Sequence, residues 1–202
     1  MTNLRVAVVG TGRMGAAMAA RLRTRGADVV VHNRTRSRAA AVAAATGATV
    51  AETAREAAAG ADVVLVSLAD DAACTEAYGG EDGIVAGLSA ATVVADTSTV
   101  GPWTSRRLNA LVGERDAGML DAPVSGSVPV VERGELTVMV GGVADDLDRA
   151  RPALDLLAGR IVHVGPTGAG ATMKLAVNSV VHALNQALAD QGYLVASVDN
   201  KG

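Results

Sequence analysis

Short runs rich in Val and Leu alternate with Ala-rich stretches of helical period along the first half of the chain. The runs cover residues 4–9, 29–31, 63–67 and 92–95, and helical stretches start between them near Met14, Arg36, Thr53 and Asp71. Near-continuous apolar runs separated by helices are the mark of parallel strands buried on both faces and joined by right-handed crossovers. The pattern predicts an α/β fold with a doubly wound, mainly parallel sheet. After Pro102 a helix to about residue 111 leads to a strand at 119–122 and a loop, PVSGSVPVVERG, at 123–134. ELTVMVGG (135–142) reads as a strand, ADDLDRARPALDLLAG (144–159) as a helix despite its proline, and RIVHVG (160–165) as the last strand. From Gly170 the period becomes helical and stays so to about Val198. This divides the chain into a unit at 1–167 and a long helix at 168–202.

Composition narrows the chemistry. The 202 residues are 50% hydrophobic yet contain no Phe, one Trp and two Tyr, so the core must be built from Ala, Val, Leu and Met. Few aromatic rings and a net charge of −3 fit neither base stacking nor phosphate-backbone binding, and no nucleic-acid partner is expected. One cysteine, Cys74, forms no internal disulfide, and with His32, His163 and His182 scattered it offers no zinc ligand set, so the chemistry is expected to be metal-free. MTNLRVAVVG reads as a strand start rather than a signal peptide, and no apolar run reaches membrane-spanning length; the expected location is the cytoplasm.

VAVVGTGRMG places Gly10, Gly12 and Gly15 in G-x-G-x-x-G spacing directly after the first strand and at the opening of a helix. In that context Gly10 makes the tight turn, Gly12 lets backbone approach a pyrophosphate, and Gly15 lets helix pack on strand. The helix N-terminus then faces the phosphates. Thr11, Arg13 and Met14 in the same turn are candidate cofactor contacts. Where NAD-binding versions carry an acid about 20 residues on, this chain has Asn33, followed by Arg34, Thr35 and Arg36. Arginine suits a 2′-phosphate, and NADP(H) is the expected cofactor. A solvated basic loop is the alternative, and Arg38 fits it.

Between residues 161 and 189, Lys174 is the only Lys, Arg, Asp or Glu. Lys174, Asn178, His182 and Asn185 share one helix face. A lysine in a partly apolar cleft shifts readily in pKa and can supply the proton that accompanies a hydride; a solvent-facing stripe is the plainer reading. DTSTVGP (96–102) follows a strand at the sheet edge where open α/β folds bind ligands. PVSGS (123–127) combines hydroxyls with a glycine able to expose backbone N–H groups, a grip for a carboxylate. Either could be an ordinary turn.

In this order, GTGRMG, DTSTVGP, DAPVSGS…ERGELTVMVGG and GPTGAGATMKLAVN resemble the β-hydroxyacid dehydrogenase family over about residues 4–189. The resemblance implies a Rossmann-type domain, a long interdomain helix and an all-helical second domain. It implies Lys174 as acid/base with Asn178 orienting it, Ser125, Gly126 and Ser127 at the substrate carboxylate, and Thr99 and Leu68 near the cofactor. NRT at 33–35 looks like the NADPH-using reductases of the family. Two departures stand out. Ser127 replaces a glycine usual in the family, and most of the helical second domain has no counterpart, with Gly192 breaking the helical pattern. The expected activity is NADP(H)-dependent hydride transfer with a small carboxylated aldehyde or β-hydroxy acid, by a homo-oligomer joined through the C-terminal helix. The alternatives are a dinucleotide-binding protein without turnover and an imine reductase-like enzyme, whose kind usually lacks the lysine.

Overall fold

Alternate residues of the first strand face two different cores: Val6 and Val8 pack on one side, Ala7 and Val9 on the other. The same split recurs at Val63 and Leu65 against Val64 and Val66, so the sheet is covered on both faces, as its unbroken apolar runs require. The computed structural model describes residues 4–191.

The elements in chain order are β1 (Arg5–Val9), α1 (Arg13–Thr24), β2 (Asp28–His32), α2 (Arg36–Thr46), β3 (Thr49–Val50), α3 (Ala54–Ala58), β4 (Val63–Val66), α4 (Asp71–Tyr78), α5 (Ile84–Gly87), β5 (Val93–Asp96), α6 (Pro102–Gly113), β6 (Gly118–Asp121), β7 (Val124–Ser125), α7 (Val128–Arg133), β8 (Leu136–Gly141), α8 (Ala144–Leu154), β9 (Ala158–Gly165) and α9 (Ala169–Asp190). Among the described residues the sheet runs β3-β2-β1-β4-β5-β6-β8-β7, with β9 paired to β8. From β3 to β6 every pairing is parallel, giving the doubly wound order of a dinucleotide-binding sheet.

Four elements escape the sequence reading. β3 and α5 are too short to show a period. The 123–134 segment, expected to be a loop, forms β7 and α7, with a proline in the first turn of α7 and Gly134 at φ 74 ending it. Those are the places where a short helix tolerates proline and wants glycine. At the other end, α9 stops at Asp190 with Gln191 as its C-cap. The expected continuation to Val198, the break at Gly192 and the polar tail lie outside the described residues.

The sheet topology decides where α9 begins. β8 meets β6 in antiparallel fashion at a single pair, Asp121↔Gly141, and β9 runs parallel to β8 with Gly165 opposite Gly141. The end of β9 is therefore level with the carboxyl end of β6. α9 starts at the same sheet edge as the turns that follow β1, β2, β4 and β5, and packs against β6, β8, β9 and α6.

Candidate functional site

The turn after β1 is shaped by steric demand. Gly10 sits at φ +96, and a Cβ on Gly15 would run into the Gly10 carbonyl, so α1 approaches the strand backbone as only glycine allows. Gly12 differs: a Cβ there would meet no atom within 4 Å. Nothing inside the protein requires glycine at this position, and the free space lies at the N-terminus of α1, whose first turn has no side-chain cap. Next to it the Thr11 hydroxyl is buried without a hydrogen-bond partner among the described residues. An orphaned hydroxyl beside uncapped helix amides fits a phosphate-bearing cofactor, since such a buried group is costly unless a ligand satisfies it.

The loop after β2 is tied to this turn. Asn33 Oδ1 accepts from the Thr11 N–H at 3.1 Å, and its Nδ2 donates to the Thr35 carbonyl at 3.1 Å. The side chain in the place of an acid thus holds two loops together. Two of the arginines beyond it have partners, while Arg38 is exposed. Arg34 Nη1 meets Glu76 Oε2 on α4 at 2.8 Å. Arg36 grips both oxygens of Glu52, through Nε at 2.9 and 2.8 Å and Nη2 at 2.6 Å, and its hydrogen bonding holds the exposed Glu52 carboxyl below the usual range. Arg13 and Thr35 are exposed, and Met14 is half-buried.

A buried network joins the ends of β4 and β5. Asp96 accepts from the Tyr78 hydroxyl at 3.0 Å and the Ser98 N–H at 2.9 Å, while Ser98 Oγ accepts from the Leu68 N–H at 2.9 Å. Burial pushes the Asp96 carboxyl up, against the hydrogen bonds it receives. Leu68 also lies against the glycine turn, where a Cβ on Gly10 would approach its Cδ2 to 2.8 Å. These bonds bring the cofactor candidates Gly10 and Leu68 together with the loop bearing exposed Thr99. Cys74 is buried nearby, and burial raises its thiol far out of the nucleophilic range.

Lys174 is 8% exposed, and among the described residues it has neither hydrogen bond nor ion pair. Burial lowers its pKa from the ordinary value of 10.5. Asn178, one turn on, and Asn185 are half-buried, whereas His182 is exposed; the shared face enters the protein at its N-terminal end and leaves it further along. The helix is fastened by a residue whose part the sequence did not reveal. Asp121, at the end of β6, accepts from the Gly168 and Ala171 N–H groups at 2.8 Å each. Burial raises its carboxyl, and those two amides work in the opposite direction. The only hint in the sequence is its place at the head of DAPVSGS, 47 residues before the first amide it binds.

Gly126, between half-buried Ser125 and exposed Ser127, has φ +142, and a Cβ there would come within 2.7 Å of Leu136 Cδ2 and 2.9 Å of Val130 Cγ1. Ser127 has an ordinary extended backbone at φ −115, so serine is accommodated where the resembling family usually has glycine. Among the described residues, no group of three or more His, Cys, Asp or Glu is placed to hold a metal, and no helix is long and apolar enough to cross a membrane.

Comparison with known proteins places this arrangement. The model of the NAD binding domain of 6-phosphogluconate dehydrogenase matches residues 5–165. The NAD-dependent L-serine dehydrogenase of Pseudomonas aeruginosa is 38% identical over 179 residues, which are 89% of this chain and 60% of that protein. The solved structure of Mycobacterium tuberculosis 3-hydroxyisobutyrate dehydrogenase with L-serine superposes with a TM-score of 0.85 at 37% identity, over 93% of this chain and 63% of that one. Psf3, solved with NADP+ and 2-OPP, gives a TM-score of 0.83 at 30% identity, over 89% of this chain and 63% of that one. The chain thus spans less than two thirds of the length of these relatives. The orphaned threonine at an uncapped helix start, the doubly wound strand order and this match together make the chain a member of the family of the NAD binding domain of 6-phosphogluconate dehydrogenase, of the β-hydroxyacid dehydrogenase kind.

Proposed function

We propose that the chain carries the cofactor site and the acid/base lysine of an NADP(H)-dependent oxidoreductase that interconverts small carboxylated aldehydes and β-hydroxy acids. The observation that carries this reading is Lys174: buried, without a charge partner among the described residues, on a helix fastened at the sheet edge where the glycine turn lies. When bound, the nicotinamide exchanges hydride with the substrate carbonyl carbon. Lys174 in its ammonium form gives a proton to the carbonyl oxygen in the reductive direction and takes it back in the other. Asn178 orients the lysine, while Ser125, Gly126 and Ser127 hold the substrate carboxylate. Thr99 and Leu68 line the cofactor, and Arg34 and Thr35 take the 2′-phosphate. The dinucleotide unit is the one at 1–167, and α9 is the helix that follows it. The exposed apolar side chains of α9 mediate self-association. An imine reductase reading is disfavoured by the lysine itself.

The test is NADPH oxidation with glyoxylate, succinic semialdehyde, tartronate semialdehyde and methylmalonate semialdehyde, with NADPH binding followed by fluorescence, for wild type and Lys174→Ala. Turnover by the wild type, reduced by about 10²-fold or more in the variant with binding retained, is the expected result. Equal turnover by the two proteins overturns the role of the lysine. Binding without turnover in either favours a dinucleotide-binding protein.

A further inference from the structure

The basic loop after β2 is neutralised by two carboxylates that hold it differently. Glu52 engages Arg36 through both oxygens and three contacts, a fork that commits the guanidinium. Glu76 meets Arg34 through a single contact, from a helix 42 residues further along the chain. The Arg34 and Glu76 side chains are 80% and 61% exposed, so the contact is one that water and salt screen and that opens readily. Its position is what matters. β1 lies between β2 and β4, Arg34 follows β2, and α4 follows β4, so the pair joins the elements on either side of the strand that carries the glycine turn.

We propose that Glu76 is a specificity-determining residue, competing with the ribose 2′-phosphate for Arg34 and so restraining the preference for NADP(H) over NAD(H). A phosphate reaching Arg34 competes with the carboxylate for the guanidinium and sits near its negative charge. A dinucleotide with a free 2′-hydroxyl leaves the ion pair intact. Glu76 therefore costs affinity for one cofactor and leaves the other nearly untouched, and the balance between them is set on α4 as well as in the loop. The proposal rests on the reading that Arg34 faces the 2′-phosphate.

The experiment measures dissociation constants for NADPH and NADH by cofactor fluorescence, at low and high salt, for wild type, Glu76→Gln, Arg34→Ala and the double variant. Glu76→Gln is expected to tighten NADPH roughly two- to fivefold, the worth of one exposed ion pair, with NADH unchanged. The gain should shrink at high salt and in the Arg34→Ala background. An unchanged NADPH/NADH ratio in Glu76→Gln, alongside a ratio lowered by Arg34→Ala, sinks the role of Glu76 and leaves the reading of Arg34 standing. A ratio that moves in neither variant removes Arg34 from the phosphate site, and the proposal with it.

Discussion

Gly12 and Gly15 stand in one turn yet answer to different partners. The Cβ of an alanine at position 15 would collide with the Gly10 carbonyl, whereas one at position 12 would enter free space. Gly15→Ala should therefore lower stability by about 1–3 kcal/mol in urea titration, as overpacking does. Gly12→Ala should keep the midpoint of the wild type and, if the proposed site is right, weaken NADPH binding on the order of tenfold by blocking backbone approach to the pyrophosphate. Lys174 has its own signature. Burial lowers its folded-state pKa below 10.5, so between the lowered value and 10.5 the native state binds fewer protons than the unfolded one. Stability contributed by this group rises with pH across that window, and Lys174→Met should flatten the rise. If the Lys174 ammonium is the proton donor as proposed, the rate in the reductive assay should fall as pH climbs through the lowered value. Lys174 could be picked out of the sequence because it is a lone charge in a long apolar stretch. The parts of Asp121, Asp96 and Glu76 could not, since each acts through burial or through partners distant in the chain, and the quoted strings that Asp96 and Asp121 head do not say what either binds.

At the level of elements, the fastening of α9 is the contact on which the site depends. Asp121→Ala leaves the amides of Gly168 and Ala171 without their acceptor, and the helix start can satisfy them only by moving toward water. A loss of roughly 2 kcal/mol is expected, set by the unsatisfied donors and reduced by relief of the buried carboxyl. Hydrogen exchange should show the first turn of α9 unprotected while β1 and β4 stay protected. The strands that lie fully inside the sheet were legible because burial on both faces writes an unbroken apolar run. β3, α5, β7 and α7 were not, because elements of two to six residues leave no period to read. The proline and Gly134 of α7 were visible punctuation, but in a segment already rich in turn residues they read as a loop.

At the level of the whole molecule, α9 leaves the sheet edge with apolar side chains facing outward. Val180 and Leu184 are 68% and 57% exposed, and Met173, Val181 and Leu188 extend the same surface, while exposed Leu175 lies on the opposite face. Self-association through this helix is expected, so light scattering at micromolar concentration should give a mass above that of one chain, and Leu184→Glu should lower it. A monodisperse monomer in the wild type counts against it. The parallel sheet order was anticipated from the alternation of strands and helices, whereas the antiparallel return at β8, which brings α9 to the edge of the glycine turn, was not, because β8 is buried along most of its length and reads like its parallel neighbours. Trp103, the only tryptophan in the chain, stands 76% exposed in the first turn of α6, just beyond the Thr99 loop and on a helix that touches α9. The protein thus carries its own optical probe: an indole whose emission overlaps the absorption of reduced nicotinamide, able to report cofactor arrival by energy transfer with no label attached.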